Sequence, residues 1–210
     1  MPRVACLHCA RPIDHCLCAL APSLLSRSRI VILQHPDEAG HALNTARLAA
    51  LGLRNARLLV GETFAAQDYL LPGYSPYVLF PGPQALDVRA LAARNEPAPR
   101  LLLVLDGTWR KARSLLHRNP ELAALPRLAL SDVPASRYRI RHAREVGALS
   151  TIEAVVHALN MLDAPDNFDA LLKPFEALIE GQIAAMGPAV FERHYGARQK
   201  DPQRGSGSNH

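Results

Sequence analysis

Leu101-Leu102-Leu103-Val104-Leu105-Asp106-Gly107-Thr108-Trp109-Arg110 is the stretch that decides the fold. Five aliphatic residues in a row make a buried strand. The run ends in a carboxylate, then a glycine, then the start of an amphipathic helix that extends to about His117. In open α/β sheets, ligands bind beyond the carboxyl ends of the strands, and Asp106 stands at such an end. Its simpler role is to cap the following helix. Trp109 is the single tryptophan of the chain and serves either as core or as a platform for a base or an adenine. Arg110, Lys111 and Arg113 follow. Arg110 and Arg113 share one helix face, which is either a solvated surface or a phosphate-binding ridge.

Outward from this stretch the same alternation repeats. Strands are predicted at 29–33, 56–60, 77–80, 128–130 and 138–140, and helices at 44–51, 85–94, 150–162 and about 166–186. Ser150 is placed as the N-cap of its helix, with Glu153 three residues on at capping-box spacing. Strand–helix alternation predicts an α/β fold, a mostly parallel sheet with helices on both faces. Three segments are expected: a cysteine-bearing segment at 1–25, the main domain at 26–197, and a disordered polar tail at 198–210 that takes no part in the fold.

Composition agrees with a globular chain: 210 residues, 49% hydrophobic and 20% charged. No apolar run approaches the roughly 18 residues of a membrane span, and no signal-peptide pattern opens the chain. The expected compartment is the cytoplasm. The net charge of +5 suggests a polyanionic partner, only weakly, because the basic residues are mostly arginine.

All four cysteines lie within the first 18 residues, as Cys6-x2-Cys9-x6-Cys16-x-Cys18. Four thiolates at this spacing can close a tetrahedron around Zn²⁺ in a structural site. Two disulfides are the alternative, which a reducing compartment disfavours. An iron–sulfur cluster uses the same ligands, but nothing here marks a redox centre. His8 and His15 are read as bystanders. Arg3 and Arg11 could touch RNA, or the knuckle could simply pack on the main domain.

Asp106-Gly107-Thr108-Trp109 resembles the signature of the DTW-domain family, with the extra small residue that many members carry between Asp and Thr. Further segments match the family in order. They are His35-Pro36-x-Glu38 with Asn44-Thr45, then Phe80-Pro81-Gly82, then Tyr138-x-Ile140-Arg141 with Leu149-Ser150-Thr151-Ile152-Glu153-Ala154. The cysteine cluster also fits the bacterial type. The likeness covers roughly residues 3 to 195. Lys111 departs from the pattern, since many relatives carry Gln there.

The resemblance implies a fold related to the SPOUT RNA methyltransferases, with a knotted C-terminal part of the sheet holding S-adenosylmethionine. It implies transfer of the 3-amino-3-carboxypropyl group to N3 of a tRNA uridine, releasing 5'-methylthioadenosine. The enzyme is then a monomer or a homodimer with tRNA as partner. Uracil N3 must lose a proton to become a nucleophile, and Asp106 is the candidate base. Phe80, Pro81, Gly82, Thr108, Trp109, Ser150, Thr151 and Glu153 are candidates for the donor pocket. The helix start at Ser150 suits the α-carboxylate; Glu153 either meets the α-ammonium or only completes the capping box. His35, Arg110, Lys111, Arg113, Arg139 and Arg141 are candidate RNA contacts. His35 and Glu38 could equally fix a turn, and the arginine run 137–144 could be a solvated edge. Two other functions remain open: an S-adenosylmethionine-dependent RNA methyltransferase of SPOUT type, and a non-catalytic zinc RNA-binding protein.

Overall fold

The computed structural model describes residues 4–140 and 148–196. In chain order the elements are β1 (Arg29–Gln34), α1 (Pro36–Ala39), α2 (Thr45–Gly52), β2 (Ala56–Val60), α3 (Ala66–Tyr69), β3 (Ser75–Leu79), β4 (Leu86–Asp87), α4 (Val88–Ala92) and β5 (Arg100–Asp106). They continue as α5 (Trp109–Arg118), α6 (Pro120–Ala123), β6 (Arg127–Ala129), α7 (Thr151–Leu162), α8 (Leu172–Met186) and α9 (Pro188–Phe191).

The six strands form one parallel sheet in the order β2-β1-β5-β3-β6-β4. Alternation along each strand divides the core in two. Ile30, Ile32, Leu102 and Val104 face a large cluster with Leu48 of α2, Leu91 of α4, Val155 and Leu159 of α7 and Phe175 of α8. Val31, Leu33, Leu101 and Leu103 face a smaller one with Tyr69 of α3, Ala112 and Leu116 of α5 and Leu122 of α6. Both faces of the central strands are therefore covered, which is why they read as unbroken apolar runs.

This wiring brings two polar strand ends together. β1 and β5 are neighbours, with Gln34 opposite Asp106 at their carboxyl ends. After β1 the chain packs α2 on the large cluster; after β5 it packs α5 on the small one. Adjacent strands whose chains leave to opposite faces open a crevice at their carboxyl ends, the switch point where α/β proteins hold ligands.

Three predicted elements differ. The helix expected over 85–94 begins as the short edge strand β4, and Asp87 caps the five-residue α4 by accepting from the Arg89 amide at 2.7 Å. The strand expected at 138–140 is a loop. Tyr138 and Ile140 are buried and Arg139 is exposed, which gives strand-like alternation. Its backbone is bonded locally instead, Tyr138 N to Ser136 Oγ and Arg139 N to Arg137 O. The last long helix starts at Leu172 rather than near 166. Asn160 and Asn167 side chains accept the amides of Phe168 and Asp169 and hold a tight turn ahead of it. Arg141 and Arg144, like the tail at 198–210, lie outside the described residues. Among the described residues no helix is long and apolar enough to cross a membrane.

Candidate active site

Asp106 is 8% exposed and does not cap α5. Thr108 does, its hydroxyl accepting from the Lys111 amide at 3.3 Å. The Asp106 carboxylate is instead bonded across the strand ends. Gln34 Nε2 donates to Oδ2 at 2.7 Å, and the Thr151 hydroxyl donates to Oδ1. The first contact comes from β1 and the second from the first turn of α7, so the carboxylate ties three elements together. Gly107 leaves room for this packing: a Cβ there would sit 3.0 Å from Lys111 Cβ and 3.7 Å from His35 Cβ.

The predicted aromatic segment joins the same region. Trp109, half-buried, lies against Phe80 with ring centroids 5.3 Å apart and planes at 53°. Phe80 follows β3, next to β5 in the sheet, and its amide bonds Leu128 O at 3.0 Å. Gly82 lets the chain pass Arg127, since a Cβ would stand 3.0 Å from its guanidinium. Thus the segments at 80–82, 106–109 and 150–154 converge at the carboxyl ends of the central strands.

Ser150 and Glu153 form the predicted capping box on α7. Glu153 is 2% exposed and both its oxygens are occupied. It accepts from Ser150 N at 2.8 Å, Ser150 Oγ at 2.6 Å, Ser136 Oγ at 2.8 Å and Arg137 N at 2.6 Å. It therefore binds the loop before α7 to the helix start.

The candidate RNA contacts separate into two groups. Arg110 and Arg113 are exposed on α5, with no ion-pair partner among the described residues. Lys111 turns inward. Its ammonium lies 2.7 Å from Glu38 and 3.4 Å from Asp37, and the Glu38 hydrogen bond raises its pKa above the ordinary lysine value. His35 is also held: Nδ1 accepts from the Asp37 amide at 3.3 Å, and Nε2 lies 3.3 Å from Glu62. Arg139 pairs with Glu180 and Arg137 with Glu176, so these two dock the loop on α8.

Sequence reasoning missed Gln34 and the use made of Asn44. Gln34 is fully buried; its Nε2 also donates to Asn44 Oδ1 at 3.1 Å. Asn44 caps α2 through the Arg47 amide and donates to Glu38 O at 3.1 Å. A polar residue closing an apolar strand was the available signal, the same one that marked Asp106. A cavity of about 410 Å³ lies elsewhere, lined by Thr63, Phe64, Tyr69, Arg118 and Asn119, none of them in the converging segments.

At the N-terminus the four cysteines are free thiols, and their sulfurs lie within 4.8 Å of one another. Cys6 to Cys18 is 3.6 Å and Cys9 to Cys16 is 3.7 Å. Tetrahedral thiolates at about 2.3 Å from a zinc ion stand about 3.8 Å apart, so the set fits a closed four-sulfur site. Backbone amides of Cys9 and His8 hold the Cys6 thiol down at about 6, while burial pushes Cys18 up to about 12. Four thiols this close resist ionising together without a cation among them. Leu17 is buried in the large cluster, and Arg11 donates to Ala42 O at 2.7 Å, so the knuckle is docked on the main domain.

A family profile described as the DTW domain matches residues 3–183. The chain belongs to the DTW domain family. Among curated relatives, the Drosophila melanogaster protein named tRNA-uridine aminocarboxypropyltransferase 2 is 30% identical over 192 residues, 86% of this chain and 76% of its own length. The Macaca fascicularis protein of the same name is 27% identical over 191 residues, covering 86% and 64%. Arabidopsis thaliana tRNA-uridine aminocarboxypropyltransferase A is 29% identical over 210 residues, covering 85% and 79%. No solved structure matches the chain significantly.

Proposed function

We propose that this DTW protein is a tRNA-uridine aminocarboxypropyltransferase. The observation that carries the proposal is the junction of Asp106, Thr151 and the Phe80–Trp109 pair at the switch point, in a chain whose named relatives have this activity. S-adenosylmethionine is the donor. N3 of the uridine forms a bond to the γ-carbon of the methionine moiety while the bond from that carbon to sulfur breaks. 5'-Methylthioadenosine leaves with the electron pair, and the N3 proton passes to a base.

Asp106 takes that proton or orients the uracil for its removal. Choosing the γ-carbon over the methyl is a matter of aim, so the pocket must hold the amino acid tail in a near-attack position. The first turn of α7 is the partner suited to the α-carboxylate through its helix dipole and amide N–H groups, the Ser150 and Thr151 hydroxyls being engaged by Glu153 and Asp106. Phe80, Pro81, Gly82, Thr108 and Trp109 complete the donor pocket. Arg110 and Arg113 are the cations placed to meet tRNA phosphates. The cysteine set suits Zn²⁺ held as a structural ion in a 1–25 segment, ahead of a catalytic domain at 26–197. The six-stranded parallel sheet suits a SPOUT-related fold, and the knot in its C-terminal part rests on the family resemblance alone. The cytoplasm is the proposed site of action, where such thiols stay reduced.

The deciding measurement is mass spectrometry of nucleosides after incubating the protein with tRNA and S-adenosylmethionine. A uridine heavier by one aminocarboxypropyl group is expected. A methyl increment would make the protein a methyltransferase, and no increment would leave a binding protein.

A further inference from the structure

We propose that Gln34 is a positioning residue, fixing the Asp106 carboxylate in the orientation that the transfer reaction uses; this rests on the function proposed above. Gln34 closes β1 as Asp106 closes β5, and the two stand opposite in the sheet register. The side chain is completely shielded from solvent. Burying an amide costs free energy unless its donors and acceptor are met. Here they are met by functional groups of the site. Nε2 faces two acceptors, Asp106 Oδ2 at 2.7 Å and Asn44 Oδ1 at 3.1 Å, while Oε1 accepts from Asn44 Nδ2 at 3.4 Å.

This pattern allows one amide orientation only. The reverse would set a carbonyl oxygen against a carboxylate oxygen. Asn44 cannot readily turn to accommodate it, because its Oδ1 also caps α2 and its Nδ2 also bonds Glu38 O. The donor aimed at Asp106 is therefore locked from behind. With the Thr151 hydroxyl on Oδ1, the plane of the carboxylate is set from two sides. A carboxylate accepts in the plane of its two oxygens, so donors from Gln34 and Thr151 on different oxygens fix how that plane is turned. A charged acceptor at the dry end of a sheet gains more from such a donor than it would in water.

Two variants test this. Gln34→Leu removes the donor at every pH. Gln34→Glu keeps the shape and donates only while protonated, and two carboxylates at this separation share one proton. Turnover is measured from pH 6 to pH 9 as the ratio of variant to wild type, which cancels the ionisation of uridine itself. S-adenosylmethionine affinity and melting temperature are measured alongside. The expected results are a fall in kcat of about tenfold or more for Gln34→Leu, with donor affinity within about threefold. For Gln34→Glu, the ratio should lie within a few-fold of unity at the acid end and drop by about tenfold as pH rises and the second proton leaves. A ratio independent of pH would assign Gln34 to packing alone and overturn the proposal. So would near wild-type turnover in Gln34→Leu. If Gln34→Leu does not fold, the slope for Gln34→Glu decides. Wild-type protein that forms no aminocarboxypropyl product would overturn the function and this proposal together, whereas active wild type with a flat ratio overturns only the latter.

Discussion

Asparagine at position 106 would keep the shape of the side chain and remove its charge. If Asp106 is the base, Asp106→Asn lowers kcat by about 10²-fold while tRNA and donor affinities stay within about tenfold, measured by single-turnover and binding assays. Turnover near that of the wild type would move the search for a base elsewhere in the site. The alternative of a helix cap has lost its geometry, since Thr108 fills that position. The same scale separates the basic residues. Arg110→Ala with Arg113→Ala should weaken tRNA binding and reduce the salt dependence of its affinity by about two counterions. Lys111→Gln should leave that slope unchanged, because its charge is already spent on Glu38 and Asp37. Sequence patterns could mark Asp106, since strand ends are local features. They could not mark the inward turn of Lys111, whose partners lie more than seventy positions away.

At the scale of elements, the loop ahead of α7 is held at many points. Glu153 takes Ser136 and Arg137 from it, Glu176 and Glu180 take Arg137 and Arg139, and Tyr138 packs edge-on against Phe175 at 5.4 Å. The exposed ion pairs add little to stability. The buried carboxylate adds more, because hydrogen bonds to a charged group contribute about 1.5–3 kcal/mol and Glu153 accepts four. Glu153→Gln puts an NH₂ where one oxygen receives donors. Denaturant unfolding should show a loss of about 2 kcal/mol or more, against about 1 kcal/mol for Ser136→Ala. Equal small losses would mean the loop is held by its apolar side chains instead. The capping box was legible in Ser150-x-x-Glu153, a motif written within four residues. The loop was not: its buried Tyr138 and Ile140 alternate as strand residues do, and what separates the two cases includes contacts with Glu153 across sixteen positions.

For the molecule as a whole, the parallel sheet was legible because strands covered on both faces read as plain apolar runs. The order of those strands was not, because nothing local records which neighbour a buried strand takes. The cysteine knuckle is the part whose contribution can be isolated. Its own buried apolar surface is small, chiefly Cys9 and Leu17, and Val4, Leu7 and Ile13 are largely exposed. So few apolar contacts cannot hold such a segment, and metal ligation is expected to supply the difference. Protein purified without chelator should contain about one zinc per chain by elemental analysis. Finding no metal, with the thiols paired as disulfides, would reject the site. Cys9→Ser should release residues 4–18 and lower the melting temperature. The main sheet should survive, because its two apolar clusters draw only Leu17 from the knuckle. Donor affinity should then change little, since the contacts seen among the described residues tie the knuckle to Ala42 and to the large apolar cluster. Arg11 touches the domain at Ala42, two residues before the Asn44 that braces Gln34. A loss of donor binding in Cys9→Ser with the sheet intact would show that the knuckle supports the site through this contact, and Arg11→Ala should then reproduce the loss with the zinc retained.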